Sequence, residues 1–130
     1  MILLDTHVVV WLASGEPHMS RAAQRAIDHA RKSDRGLAIS DFTLFELSQL
    51  FRKKQFSLIV SPESFLAEVE RRFVVLPITS NIALQAFELP PNYPKDPADR
   101  IIGATALIED LPLVTADAAI RKSRAVPTIW

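Results

Sequence analysis

Residues Lys95 to Asp117 read KDPADRIIGATALIEDLPLVTAD. Pro97 suits the first position of a helix, and Asp96 before it suits the cap, where a side-chain oxygen accepts an unpaired amide N–H. From there the pattern predicts a helix over 97–109, with Asp99 leading the line Ile102, Gly103 and Ala106 that would otherwise face a core. Glu109 and Asp110 make a polar break, Leu113 to Thr115 form a short apolar run of strand type, and Asp117 follows. A helix feeding a short buried strand is the building unit of an α/β domain with a mainly parallel sheet.

The same alternation extends outward in both directions. Strands are predicted at Met1–Asp5, Leu37–Ser40, Phe73–Pro77, Leu113–Thr115 and Thr128–Trp130. Helices are predicted at Val8–Ala13, Ser20–Lys32, Phe42–Lys54, Pro62–Glu70, Asn81–Glu88, Pro97–Glu109 and Ala118–Lys122. This describes three layers, a central sheet of about five short strands flanked by helices. With 130 residues, 48% of them hydrophobic, the chain is expected to be one domain spanning 1–130 that buries a core without staples. The segment Leu89 to Pro97 holds four of the nine prolines and is expected to cross the surface as a loop, delivering Asp96 and Asp99.

Composition excludes several chemistries. There is no cysteine, which removes disulfide scaffolds, thiolate metal sites and cysteine nucleophiles. Fifteen basic residues balance fifteen acidic ones, so a polyanionic partner would have to be held by local patches. No serine elbow appears, and three glycines leave no phosphate loop. The opening MILLD carries an acid directly after Leu4, and no apolar run approaches the length of a membrane span, so a cytoplasmic protein without signal peptide or membrane contact is expected.

Four acids sit on or beside apolar faces. Asp5 closes the first strand and Asp117 follows the fourth; in a parallel sheet such strand ends share one edge, where α/β folds bind ligands. Glu46 lies one turn after Phe42 and one before Leu50, in register with an apolar stripe, as Asp99 is in its own helix. By contrast, Asp41, Glu63, Glu68, Glu70, Glu109 and Asp110 read as ordinary solvated charges. Carboxylates gathered in one cleft repel each other, and without a counter-cation some would take up protons. Oxygen ligands alone suit Mg²⁺ or Mn²⁺, ions that can activate water and neutralise a phosphodiester.

The segments LLDTHVVVWL (3–12), AISDFTLFEL (38–47), DPADRIIGATAL (96–107) and LVTAD (113–117), in this order and spacing, resemble the PIN-domain ribonucleases, in particular VapC-type toxins of bacterial toxin–antitoxin pairs. The resemblance implies a PIN-like fold and a metal site made by Asp5, Glu46, Asp99 and Asp117, with a hydroxyl near the metal from Thr6 or Thr115. It also implies an Mg²⁺- or Mn²⁺-dependent endoribonuclease acting as the toxin of a type II pair, an RNA substrate, a homodimer, and a VapB-type antitoxin that blocks the cleft. Two positions depart from the commoner pattern: Phe45 stands where a tryptophan often precedes the glutamate, and Ala98 where a phenylalanine often separates the two aspartates.

Each of these residues also has a plainer reading. Asp96 is expected to be a cap first and a ligand second, and Asp5 and Asp117 could cap the helices after them while offering a second oxygen. Asp99 could be a first-turn acid favoured by the helix dipole, and Glu46 a helix-edge glutamate. Arg100 could pair with a neighbouring acid or reach a phosphate. His7, His18 and His29 lack metal-ligand spacing and are expected in surface or local hydrogen-bonding roles, with His7 set apart by lying two residues after Asp5. The basic runs Arg52-Lys53-Lys54 and Arg121-Lys122 with Arg124 suit helix C-termini. Trp11, Phe42, Phe45 and Phe51 are expected in the core or facing a partner. The alternative to a nuclease is a non-catalytic PIN-like module that only binds RNA or protein.

Overall fold

The computed structural model describes residues 1–15, 18–54 and 59–130. Its elements run β1 (Ile2–Leu4), α1 (Thr6–Ser14), α2 (Arg21–Lys32), β2 (Leu37–Ser40), α3 (Asp41–Arg52), α4 (Pro62–Arg72), β3 (Val74–Leu76), α5 (Ser80–Glu88), α6 (Pro97–Ile108), β4 (Leu113–Val114), α7 (Ala118–Ser123) and β5 (Thr128–Ile129). The five strands form one sheet in the order β3-β2-β1-β4-β5, and every pairing is parallel. The expected sheet was mainly parallel; the observed one is wholly so.

Alternation along the strands makes the three layers. Leu4, Ile39 and Val114 point to a core shared with Val8, Val9, Ile27, Leu47, Phe65 and Val69, while Leu3, Ala38 and Leu113 point to one shared with Tyr93, Ile102, Ala106, Ile120 and Val126. Adjacent residues of one strand serve opposite faces, as the pleat requires. Both faces are apolar because both are covered, as expected of a parallel sheet.

Each described helix begins at a Ser, Thr or Asp whose side chain accepts a backbone N–H of the first turn: Asp5, Ser20, Ser40, Ser61, Thr79, Asp96 and Asp117. These caps explain the shifts between expected and observed boundaries. α1 starts at Thr6 rather than Val8 because Asp5 already caps it, and α3 starts at Asp41 because Ser40 does. α3 stops at Arg52, two residues short of the predicted end; Lys53 is its C-cap and Lys54 has φ 56, a left-handed backbone that closes the helix.

The order of strands fixes where a ligand can enter. From β1 the chain adds β2 and β3 on one side and β4 and β5 on the other, so the connections diverge between β1 and β4. A crevice opens at such a point beyond the strand C-termini. Asp5 follows β1 there, and Thr115 and Asp117 follow β4.

Candidate metal centre and active site

Asp5 is 2% exposed and well supplied with partners. Its Oδ1 accepts the Thr6 amide at 2.8 Å, its Oδ2 accepts the Thr115 hydroxyl at 2.6 Å, and His7 Nε2 lies 3.3 Å from the same Oδ2. Burial acts to raise its pKa, but the hydrogen bond and charge of His7, with Thr115 and the Thr6 amide, outweigh it and hold the carboxyl below its usual value. His7 responds in kind: the bond to Asp5 raises its pKa, burial opposes, and the charges of Asp5, Asp99 and Asp117 add to the rise.

Glu46 is reached from β2 through α3. The Thr6 hydroxyl donates to Glu46 Oε1 at 2.5 Å, and Thr43, fully buried one turn earlier, lies 3.1 Å from the same hydroxyl. A hydroxyl has one proton to give, so when Thr6 serves Glu46, Thr43 donates to Thr6. Burial first, then the charges of Asp5 and Asp96, raise the Glu46 pKa, with Thr6 and His7 opposing. The sequence left Thr6 and Thr115 as alternatives near the acids. Both are there, Thr6 on Glu46 and Thr115 on Asp5.

Asp99 comes from the first turn of α6, and no hydrogen bond to its carboxylate stands among the described residues. Burial pushes its pKa up to about 7, and the charges of Asp5, Asp96, Asp117 and Glu46 all act in the same direction. Its backbone is held instead. The Tyr93 hydroxyl donates to the Asp99 carbonyl at 2.7 Å, and Tyr93, 1% exposed, sits against Gly103 so closely that an added Cβ would stand 2.2 Å from its hydroxyl oxygen. Glycine at 103 is therefore a requirement of space.

Arg100 departs from the first of the two readings that the sequence allowed, pairing with a neighbouring acid. Among the described residues it forms no ion pair; its guanidinium donates to the carbonyls of Ala86 (3.0 Å), Leu89 (3.5 Å) and Tyr93 (3.4 Å). The physical reason is that the last turn of α5 and the proline-rich loop after it have carbonyls without helix or ladder partners, and a planar fork of five donors can serve several at once. Asp41 is a second departure. It is no solvated charge: its Oδ2 accepts the Ile78 amide at 3.2 Å, and its Oδ1 is shielded from solvent without a hydrogen bond among the described residues.

Asp5, Thr6, His7, Glu46 and Asp99 line one cleft of about 340 Å³ with Val10, Gln49, Leu50 and Lys53. Asp117 is not among the lining residues; it caps α7 by accepting the Ile120 amide at 3.0 Å, and its charge reaches His7 and Asp99. Asp96 is the cap of α6, bonded to the amides of Ala98 (2.8 Å) and Asp99 (3.4 Å). Among the described residues no three acidic or imidazole groups close on a common point as a ready coordination shell. The fit to a cation rests instead on donor chemistry and charge. The acids and the Thr6 hydroxyl offer oxygen donors beside the His7 imidazole, and the burial and like charge that raise Asp99 and Glu46 would be offset by a bound cation.

Sequence reasoning did not assign His7, Thr43, Tyr93 or Gly103 to the site. His7 and Thr43 carried a readable signal, two residues from Asp5 and one turn from Glu46. Tyr93 and Gly103 carried none, since their contact joins a loop to a helix face.

A PIN domain family model matches residues 2–125. The chain belongs to this family. The ribonuclease VapC22 of Mycobacterium tuberculosis is 35% identical over 99% of this chain and 98% of the relative. Two solved structures share the fold at lower identity. VapBC-1 from nontypeable Haemophilus influenzae superposes with a TM-score of 0.73 at 17% identity, covering 98% of this chain and 96% of the other. DNA-bound VapBC from Salmonella typhimurium superposes with a TM-score of 0.70 at 23% identity, covering 98% and 97%. In this PIN domain the five-stranded parallel sheet brings Asp5, after β1, and Asp117, after β4, to the point where the connections diverge. Among the described residues no helix is long and apolar enough to cross a membrane.

Proposed function

We propose that this PIN domain is a metal-dependent endoribonuclease and the toxin of a type II toxin–antitoxin pair. The observation that carries the reading is the gathering of Asp5, Glu46 and Asp99 in one cleft, where burial and the neighbouring acids push the Asp99 carboxyl up to about 7. Asp5, Glu46 and Asp99, joined by Asp117 whose charge reaches Asp99, would hold Mg²⁺ or Mn²⁺. When bound, the ion would neutralise the acids, lower the pKa of a water and offset charge on an RNA phosphodiester during in-line attack.

The chain's own residues set up that chemistry. Thr115, Thr6 and His7 keep Asp5 ionised, Thr6 aims Glu46, and Tyr93 fixes the turn from which Asp99 projects. Two surfaces support the partners. Leu84 and Phe87 on α5 are 65% and 88% exposed, an apolar patch suited to a second copy of the chain. Leu12, Ala13 and Phe73 line a groove together with Arg31, Glu68 and Arg72, suited to a VapB-type antitoxin whose basic side chain would enter the acidic cleft. The ribonuclease name of the 35% identical relative supports the same reading, as does its bacterial setting for a cytoplasmic toxin.

The test is cleavage of cellular RNA by the pure protein. Cleavage is expected in Mn²⁺, absent in EDTA and absent for Asp99→Asn. RNA that is bound in Mn²⁺ but left intact would instead favour the non-catalytic module.

A further inference from the structure

The cleft has a second half that the acids do not explain. Counting along α3 from Glu46, Gln49 is three residues on, Leu50 four and Lys53 seven, so the four share one helix face, and all four line the cleft with Val10 of α1. Glu46 and Lys53 are about 10 Å apart along the axis at ~1.5 Å per residue. Lys53 is the one lysine or arginine among the described residues lining this cleft, and no ion pair there engages it. A helix C-terminus favours a cation, but that alone does not account for an ammonium sharing a cleft with three carboxylates. Seven residues from Glu46, it is also beyond the spacing of a helix ion pair.

We propose that Gln49 and Lys53 form a subsite for a phosphodiester of single-stranded RNA neighbouring the one held at the acids, with Val10 and Leu50 as an apolar floor for its sugar and base. This rests on the nuclease reading above. The ammonium supplies a mobile point charge suited to phosphate, and the amide donates to a phosphate or base-edge oxygen. RNA approaching an acidic cleft needs a cation set apart from the acids, so that attraction of the strand does not cancel the charge on which the metal depends. Gln49 and Lys53 are exposed while Val10 and Leu50 are half-buried, which leaves the polar groups free and the floor partly covered.

The experiment measures binding of a labelled single-stranded RNA of about twelve nucleotides in EDTA over a range of salt, by fluorescence anisotropy, and KM and kcat in Mn²⁺. Lys53→Ala is expected to weaken binding about fivefold and to lower the slope of log affinity against log salt by about 0.7. It should raise KM with kcat within about twofold. Gln49→Ala is expected to weaken binding about twofold without changing the slope. Lys53→Arg should keep the slope, and Lys32→Ala, the same charge change at the end of α2, should change nothing. The subsite is overturned by a Lys53→Ala variant with unchanged slope and KM, by an equal loss in Lys32→Ala, or by a parent protein that binds RNA in neither EDTA nor Mn²⁺. It is also overturned if Lys53→Ala spares RNA but weakens an acidic peptide. Cleavage with a Lys53-independent KM removes the subsite and leaves the nuclease; Lys53-dependent binding without cleavage in Mn²⁺ does the reverse.

Discussion

Asp5 and Asp99 face the same cleft, and their carboxyls shift in opposite directions. Asp5 is the more buried, yet it sits below its usual pKa because two hydroxyl or amide donors and an imidazole surround it. Asp99 is less buried, receives no such bond among the described residues, and rises to about 7. Burial alone would have ordered them the other way. The difference shows that the supply of donors decides which acid stays charged, and it places the unbalanced charge on the α6 side of the cleft.

Substitution should separate the two. Asp5→Asn and Asp99→Asn are both expected to lower RNA cleavage by about 10²-fold or more, because each removes charge from the proposed metal site. In EDTA at pH 8 their stabilities should diverge. Asp5→Asn loses about 1–3 kcal/mol, since an amide cannot accept both the Thr115 hydroxyl and the His7 imidazole on the oxygen that Asp5 offers them. Asp99 has a raised folded pKa, so the stability its proton brings is complete below the unfolded value near 3.8 and is lost as pH rises through about 7. Asp99→Asn removes that loss and should melt higher than the parent at pH 8, by the order of 1–2 kcal/mol after solvent screening, with little difference at pH 4. Melting curves at both pH values test the sign; a less stable Asp99→Asn at pH 8 would erase the contrast.

The next effect sharpens how Asp99 is held. Gly103→Ala is expected to cost about 1–3 kcal/mol by overpacking against Tyr93, and chemical denaturation would measure it. A neutral result would mean that Tyr93 has room to withdraw. Tyr93→Phe is smaller, about 0.5–1.5 kcal/mol for the lost bond to the Asp99 carbonyl, and should also weaken Mn²⁺ binding seen by electron paramagnetic resonance. Unchanged Mn²⁺ affinity would separate the tyrosine from the site.

The smallest effect lies on the Asp5 side. His7 has a raised folded pKa, so its charge stabilises the metal-free protein below the unfolded value of 6.5 and the contribution fades as pH rises through the folded one. His7→Gln should therefore lower stability at pH 6 by about 1 kcal/mol or less, and by less again at pH 9. Equal losses at both pH values would show that His7 acts through packing.

Much of this arrangement was legible in the chain. The alternation of short apolar runs with capped helical periods marks the α/β class, because a pleated strand and a helix impose different periods on the residues they bury. Asp96 and Asp117 announce helix starts for the same local reason. Asp5, Glu46 and Asp99 stood out because several carboxylates on or beside apolar faces, each explicable alone, together ask for a shared site, and the structure gathers them in one cleft. Tertiary structure alone decided the rest. Sequence spacing cannot tell which carbonyls at a helix end and in a loop lack partners, so Arg100 turned out to bind one in the last turn of α5 and two beyond it. Nor can it show that Asp41 is shielded by a chain segment 37 residues away. The opposite titration of Asp5 and Asp99 depends on donors such as Thr115, which is 110 residues from Asp5 in the chain and 2.6 Å from it in the fold. Periodicity and capping are local and can be read in order along the chain, whereas hydrogen-bond supply and electrostatics are sums over neighbours that only the folded sheet brings together.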